Sequence, residues 1–86
     1  MQISVIAHLV QTQEPASLRA AEAALLKYQQ PRFAVAGADV CEQLTHVLVA
    51  QTVQHHMREH DVSLPMALRA FAWRVRACIS SAEDLG

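Results

Sequence analysis

Histidine is concentrated in one short stretch of the chain, because three of the five histidines lie within His55-His56-Met57-Arg58-Glu59-His60. The order His56, Glu59, His60 matches the His-x-x-Glu-His signature of inverted zinc peptidases, in which two histidines share one helix face and the glutamate activates water. Those enzymes need a third ligand far downstream and a large cleft, and only 26 residues follow His60. The match therefore does not predict a peptidase.

A simpler metal site is the second chemistry that this stretch offers. His56 and His60 lie four residues apart, so on a helix they could bind Zn²⁺, Ni²⁺ or Cu²⁺ as a two-ligand site completed by another chain. His46 lies about 15 Å away along a helix and cannot join them. The competing interpretation is that protonatable histidines near a helix C-terminus interact favourably with the helix dipole. Apart from this metal hypothesis, no cofactor is expected.

His46 lies inside an apolar run, residues 44–49. A buried imidazole must form a hydrogen bond through at least one nitrogen, and Thr45 or the backbone carbonyl of a neighbouring helix could be the partner. We expect a structural role for His46 rather than a role in ligand binding or catalysis.

Arg69, Trp73 and Arg76 recur at i, i+4 and i+7 and so form one stripe of a predicted helix. Such a stripe could bind a phosphate, a carboxylate or a nucleic-acid backbone, and residues 62–82 contain no acidic side chain. However, the net charge of the chain is -1, which argues against a nucleic-acid partner. We therefore predict an interface with another protein or a second copy, with Trp73 as its anchor.

Cys41 and Cys78 are too few for a disulfide framework. If the third and fourth helices form an antiparallel hairpin, the two cysteines come close together at its open end. Reduced, buried packing is the expected state, and a redox pair is the alternative.

The elements that position these residues are predicted from apolar spacing and capping signals. The pattern indicates an all-α fold of four helices in a compact array. A central helix at about 38–61, with Asp39 and Glu42 at its start, is apolar on more than one face. It forms an antiparallel hairpin with a helix at about 64–79. The two earlier helices are predicted at 3–10 and 16–29, and residues 32–36 are compatible with a short edge strand.

The expected core residues lie on the third and fourth helices: Leu44, Leu48, Leu68, Phe71 and Val75. Residues 1–80 should form a single helical domain, and residues 81–86 a flexible tail. Fifteen of the residues are alanine, which contributes little buried area, so the core should be thin. A small domain of this kind gains stability by pairing with another copy.

Composition excludes several classes of function. The near-neutral charge, with a pI near 6.5, predicts no attraction to an anionic membrane. No signal peptide and no membrane-spanning run is recognisable, which favours the cytoplasm. No paired carboxylates, nucleophile with an adjacent base, or glycine-rich loop occurs at usable spacing, so we do not expect an enzyme.

Two segments carry a resemblance that extends over residues 1–80: Glu42-Gln43-Leu44-Thr45-His46-Val47-Leu48, and Ala67-Leu68-Arg69 with the Arg74-Val75-Arg76 and Ile79-Ser80 that follow it. The chain resembles a family of short bacterial proteins to which no activity is assigned. The resemblance implies a bacterial, cytoplasmic origin and no particular chemistry. The sequence therefore predicts a small non-enzymatic helical interaction module that forms homo-oligomers, with a histidine-dependent metal-binding protein as the alternative.

Overall fold

The computed structural model describes residues 1–31 and 33–85, and the side chains among them as far as residue 77. In this part of the chain there are four helices and no strand: α1 (Ile3–Thr12), α2 (Pro15–Tyr28), α3 (Val40–His60) and α4 (Leu64–Leu85). The all-α prediction is confirmed. None of these helices, over the described residues, is long and apolar enough to cross a membrane.

Helix α3 is central, because α1, α2 and α4 each pack against it. Its start is capped as predicted: an Asp39 side-chain oxygen accepts a hydrogen bond from the Glu42 N–H at 2.8 Å. Glu42 in turn accepts one from the Ala38 N–H at 3.5 Å. The bond to Asp39 satisfies one of the backbone donors that the first turn of a helix leaves free. The helix ends at His60, and the C-cap residue that follows it, Asp61, has the left-handed conformation (φ 50°) and lets the chain turn back into α4.

The core is built mainly by the first three helices. Its buried apolar residues are Ile6, Leu9, Leu18, Ala21, Leu25, Val35, Val47, Ala50, Val53 and Ala67. A single α4 residue, Ala67, is among the described members of this set. The predicted core therefore gave too much weight to α4 and too little to α1 and α2.

The predicted face of α3 was partly wrong. Leu48 is 42 % exposed, so it is not a core residue. Leu44, Leu68 and Phe71 are half-buried and pack against the core, and Val75 is half-buried. The buried positions of α3 instead form one continuous stripe at helical spacing, and two of its members are polar: His46, Val47, Ala50, Val53 and Gln54.

The connection between α2 and α3 contains no strand over residues 33–36, and Arg32 lies outside the described residues. The edge strand suggested for 32–36 is therefore not found in its described part. The physical reason is visible at Ala36, whose carbonyl binds a side chain of α3 rather than a neighbouring strand. Val35 points into the core and is 7 % exposed.

Helix α2 ends at Tyr28, and the C-cap residue that follows it, Gln29, has its backbone in the left-handed region (φ 60°, ψ 25°). A side chain with a Cβ is disfavoured there, whereas glycine is not. We expect Gln29→Gly to raise the free energy of unfolding by about 0.5 kcal/mol, the strain relief being partly offset by a more flexible unfolded chain. The measurement is urea unfolding, with Gln30→Gly as the matched control, since Gln30 is not in that conformation. Equal effects of the two substitutions would contradict this account.

Candidate functional site

Two polar side chains of α3, His46 and Gln54, are buried in the core and hold α1 in place. The His46 ring is fully buried. Its Nε2 accepts a hydrogen bond from the backbone N–H of Gln2 at 3.0 Å, and its Nδ1 lies 2.7 Å from the Ala36 carbonyl oxygen. These partners assign a neutral ring with the proton on Nδ1. His46 thus has the structural role expected of it, and it joins the start of α1 and the α2–α3 connection to the central helix.

Gln54 does the same at the other end of α1. Its Nε2 donates hydrogen bonds to the backbone carbonyls of Val10 at 3.3 Å and Gln13 at 2.7 Å. Because His46 meets the beginning of α1 and Gln54 meets its end, α1 runs parallel to α3. The carbonyl oxygens at the end of a helix lack partners within that helix, and Gln54 supplies a donor for them. Its own Oε1 is buried and accepts no hydrogen bond from the described part of the chain.

The predicted metal ligands, His56 and His60, do lie side by side near the end of α3. Their ring centroids are 4.4 Å apart, with a tilt of 42° between the planes. The pKa of His56 is lowered from its ordinary value of 6.5, first by partial burial and then by the neighbouring His60 and Arg74. A lowered pKa keeps His56 uncharged at neutral pH, as a ligand must be. Among the described residues, no group of three or more His, Cys, Asp or Glu side chains could hold a metal.

We expect Zn²⁺ to bind this histidine pair only weakly, with a Kd on the order of 0.1 mM or weaker, because two protein ligands leave most of the coordination to water. Titration calorimetry with Zn²⁺ should give similar weak binding for the wild type and for His60→Ala. His8→Ala, on α1, is the control for adventitious histidine binding. Stoichiometric zinc that survives dialysis and is lost on mutation of His56 would contradict this expectation and support the metal-binding alternative.

The predicted interface residues form an exposed surface on α4. Trp73 is 70 % exposed, and the Arg76 guanidinium carbon lies 6.0 Å from the centre of its ring. Arg69, Ala72, Trp73 and Arg76 line a shallow groove of about 230 Å³. The i, i+4, i+7 spacing places the three side chains on one side of α4, and their role as an interface stays a prediction. We call this surface the Trp73 face.

Cys41 is exposed and has a free thiol, so the expectation that it is buried was wrong. It lies in the first turn of α3, outside the stripe that faces the core. The side chain of Cys78 is outside the described residues, and the expected proximity of the two cysteines stays a prediction.

Two further grooves meet around Gln54, and the sequence analysis did not find them. The first, of about 330 Å³, lies between α2 and α3 and is lined by Pro15, Arg19, Gln51, Thr52, Gln54, His55 and Arg58. The second, of about 310 Å³, is lined by Val10, Gln13, Glu14, Pro15, Gln54, Met57 and Arg58. Pro15, Gln54 and Arg58 are common to both. Because the lining comes from three helices and their connections, no local spacing in the sequence could have indicated it.

Comparisons with known proteins assign the chain to a family but identify no activity or ligand. Neither the curated proteins nor the solved structures contain a match to it. The family model that does match, over residues 1–80, describes a family of unknown function. Since that match covers nearly the whole chain, the protein belongs to the family of unknown function DUF6952.

Proposed function

We propose that this protein is a small, non-enzymatic interaction module of the cytoplasm that binds a second copy of itself through the Trp73 face. The observation that carries the proposal is the 70 % exposure of the only tryptophan of the chain, which lies on α4. Tryptophan and arginine are the residues that most often dominate the energy of protein interfaces. Here Arg76 lies close to the indole ring and Arg69 lines the same groove.

The thin shape of the domain supports the proposal that one face of α4 is not covered by another helix. The molecule is only 19 Å thin in its shortest dimension, which is about two helix diameters. Helix α4 packs against α3, and Met66, like Trp73, is largely exposed on it, at 52 %. Burying an exposed tryptophan ring contributes about 3 kcal/mol. A second copy is the simplest partner, because the small core of this domain gains from any further apolar burial.

The charges of the face predict how such a pair would respond to salt. In a symmetric, antiparallel pair of α4 helices centred on Trp73, Arg69 of one copy lies near Arg76 of the other. These like charges repel, and salt screens exposed charges with a Debye length of about 10 Å at 0.1 M. Self-association should therefore strengthen when the salt concentration is raised from about 0.05 M to about 0.5 M, because the Debye length shortens over this range. An acidic partner would show the opposite dependence.

We expect Trp73→Ala to abolish or strongly weaken dimer formation while the helical content stays unchanged. The measurement is sedimentation velocity over a range of protein concentrations, with circular dichroism as the check on folding. Tyr28→Ala is the matched control, because Tyr28 is an aromatic residue of α2 with almost the same exposure, 67 %. A wild-type protein that stays monomeric at high concentration, or equal effects of the two substitutions, would contradict the proposal.

The alternative function, a histidine-dependent metal-binding protein, is favoured by one observation, the 4.4 Å separation of the His56 and His60 rings. A second copy would have to supply the remaining ligands. In that case Zn²⁺ should promote dimer formation in the wild type and not in His56→Ala. The stability of such a metal-dependent dimer would not change with salt screening at the Trp73 face. This difference distinguishes it experimentally from a dimer formed through the Trp73 face.

A further inference from the structure

The groove between α2 and α3 is lined by two arginine side chains. Arg19 and Arg58 line it together with His55, and neither arginine forms an ion pair with a carboxylate in the described residues. The nearby carboxylate of Glu22 accepts a hydrogen bond from Gln51 Nε2 at 2.8 Å, at the edge of the groove. The guanidinium group offers parallel N–H donors that match a carboxylate or a phosphate. An acid group fits this groove.

The adjoining groove is different in character. Val10, Pro15 and Met57 provide an apolar lining, and Val10 and Met57 also pack against the core. The exposed Glu14 lines this groove as well and opposes the charge of Arg58 there, so an acid group is attracted to this groove less than to the first one. A ligand that spans both grooves must therefore place its charge beside Arg19 and Arg58 and an apolar group beside Val10 and Met57.

Gln54 lies where the two grooves meet and adds a third requirement. It is 8 % exposed, its Nε2 is used by the carbonyls of Val10 and Gln13, and its Oε1 has no partner in the described part of the chain. A buried acceptor without a partner is destabilising, because it has lost its hydrogen bond to water. An N–H donor on a ligand would remove that cost. Because the oxygen is buried, a neighbouring side chain must move before a ligand can reach it.

We propose that these two grooves form one binding site for a small amphipathic acid with an N–H group, of the class of N-acylated apolar amino acids. The carboxylate binds Arg19 and Arg58, the apolar side chain contacts Val10 and Met57, and the amide N–H donates to Gln54 Oε1. The C-terminus of a peptide ending in an apolar residue presents the same three groups. The site contains no residue of α4 and is independent of the Trp73 face.

The test is a titration of the whole chain with N-acetyl-leucine, followed by ¹H–¹⁵N NMR shifts and calorimetry. Two analogues each lack one group: N-acetyl-leucinamide lacks the acid, and 4-methylpentanoic acid lacks the N–H donor. We expect each to bind about tenfold more weakly, since about 1.4 kcal/mol corresponds to a factor of ten. Arg58→Gln should also weaken N-acetyl-leucine about tenfold, whereas its matched control, Arg69→Gln on α4, should not. A tripeptide ending in leucine distinguishes the two sources, because clearly tighter binding assigns the site to peptide C-termini and equal binding assigns it to the free acid.

Three results would overturn the proposal. The first is the absence of shifts at the lining residues in a protein that is folded by circular dichroism. The second is equal binding of N-acetyl-leucine and inorganic phosphate, which would show that the arginines attract any anion. The third is equal binding of N-acetyl-leucine and 4-methylpentanoic acid, which would remove Gln54 from the site. None of these results depends on whether the chain forms dimers.

Discussion

Replacing His46 with alanine is expected to lower the free energy of unfolding by about 3 kcal/mol. The ring is fully buried, so its removal leaves a cavity in the core. It also removes the acceptor for the Gln2 N–H and the donor for the Ala36 carbonyl. Urea unfolding followed by circular dichroism measures the change by linear extrapolation.

Two further substitutions separate packing from hydrogen bonding at this position. His46→Leu fills much of the volume but cannot form either bond, so it should remain destabilised by about 1 kcal/mol or more. His8→Ala is the control, because His8 is an exposed histidine of α1. If His46→Ala unfolds at the same urea concentration as the wild type, the ring does not hold α1 and the α2–α3 connection as described.

His46 and Gln54 also explain why the helices could be predicted more accurately than the core. The limits of α3 follow from local signals, such as Asp39 with Glu42 at its start, and these act within one turn of the helix. The buried face does not follow from them. Two of its positions carry polar side chains that form hydrogen bonds with backbone groups 41 to 44 residues away, or with a connecting loop. A pattern of apolar residues alone therefore shifts the predicted face toward Leu48.

The two candidate sites also differ in how far each could be predicted from the sequence. The Trp73 face lies on one helix, so the spacing of Arg69, Trp73 and Arg76 was sufficient to predict it. The grooves around Gln54 depend on how α1, α2 and α3 pack together, and on an oxygen that is left without a partner. Neither property has a local signature in the sequence. Arg19 and Arg58 are 39 positions apart and become neighbours only after folding.

Leu25→Ala is expected to lower the free energy of unfolding by about 3 kcal/mol, whereas Leu48→Ala should lower it by less than about 1 kcal/mol. Leu25 is 1 % exposed in the core and Leu48 is 42 % exposed on α3. Both leucines are in helices, and alanine favours a helix slightly more than leucine does. The difference between the two substitutions therefore measures burial rather than helix propensity.

Leu26→Ala is the closest control, because Leu26 follows Leu25 directly in α2 but is 65 % exposed. It should behave like Leu48→Ala in the same urea unfolding experiment. A cost at Leu48 that equals the cost at Leu25 would mean that α3 presents the Leu44 and Leu48 side to the core, as the apolar pattern alone predicts. In that case His46 and Gln54 could not both face α1, since they lie on the stripe that such a rotation would turn toward solvent.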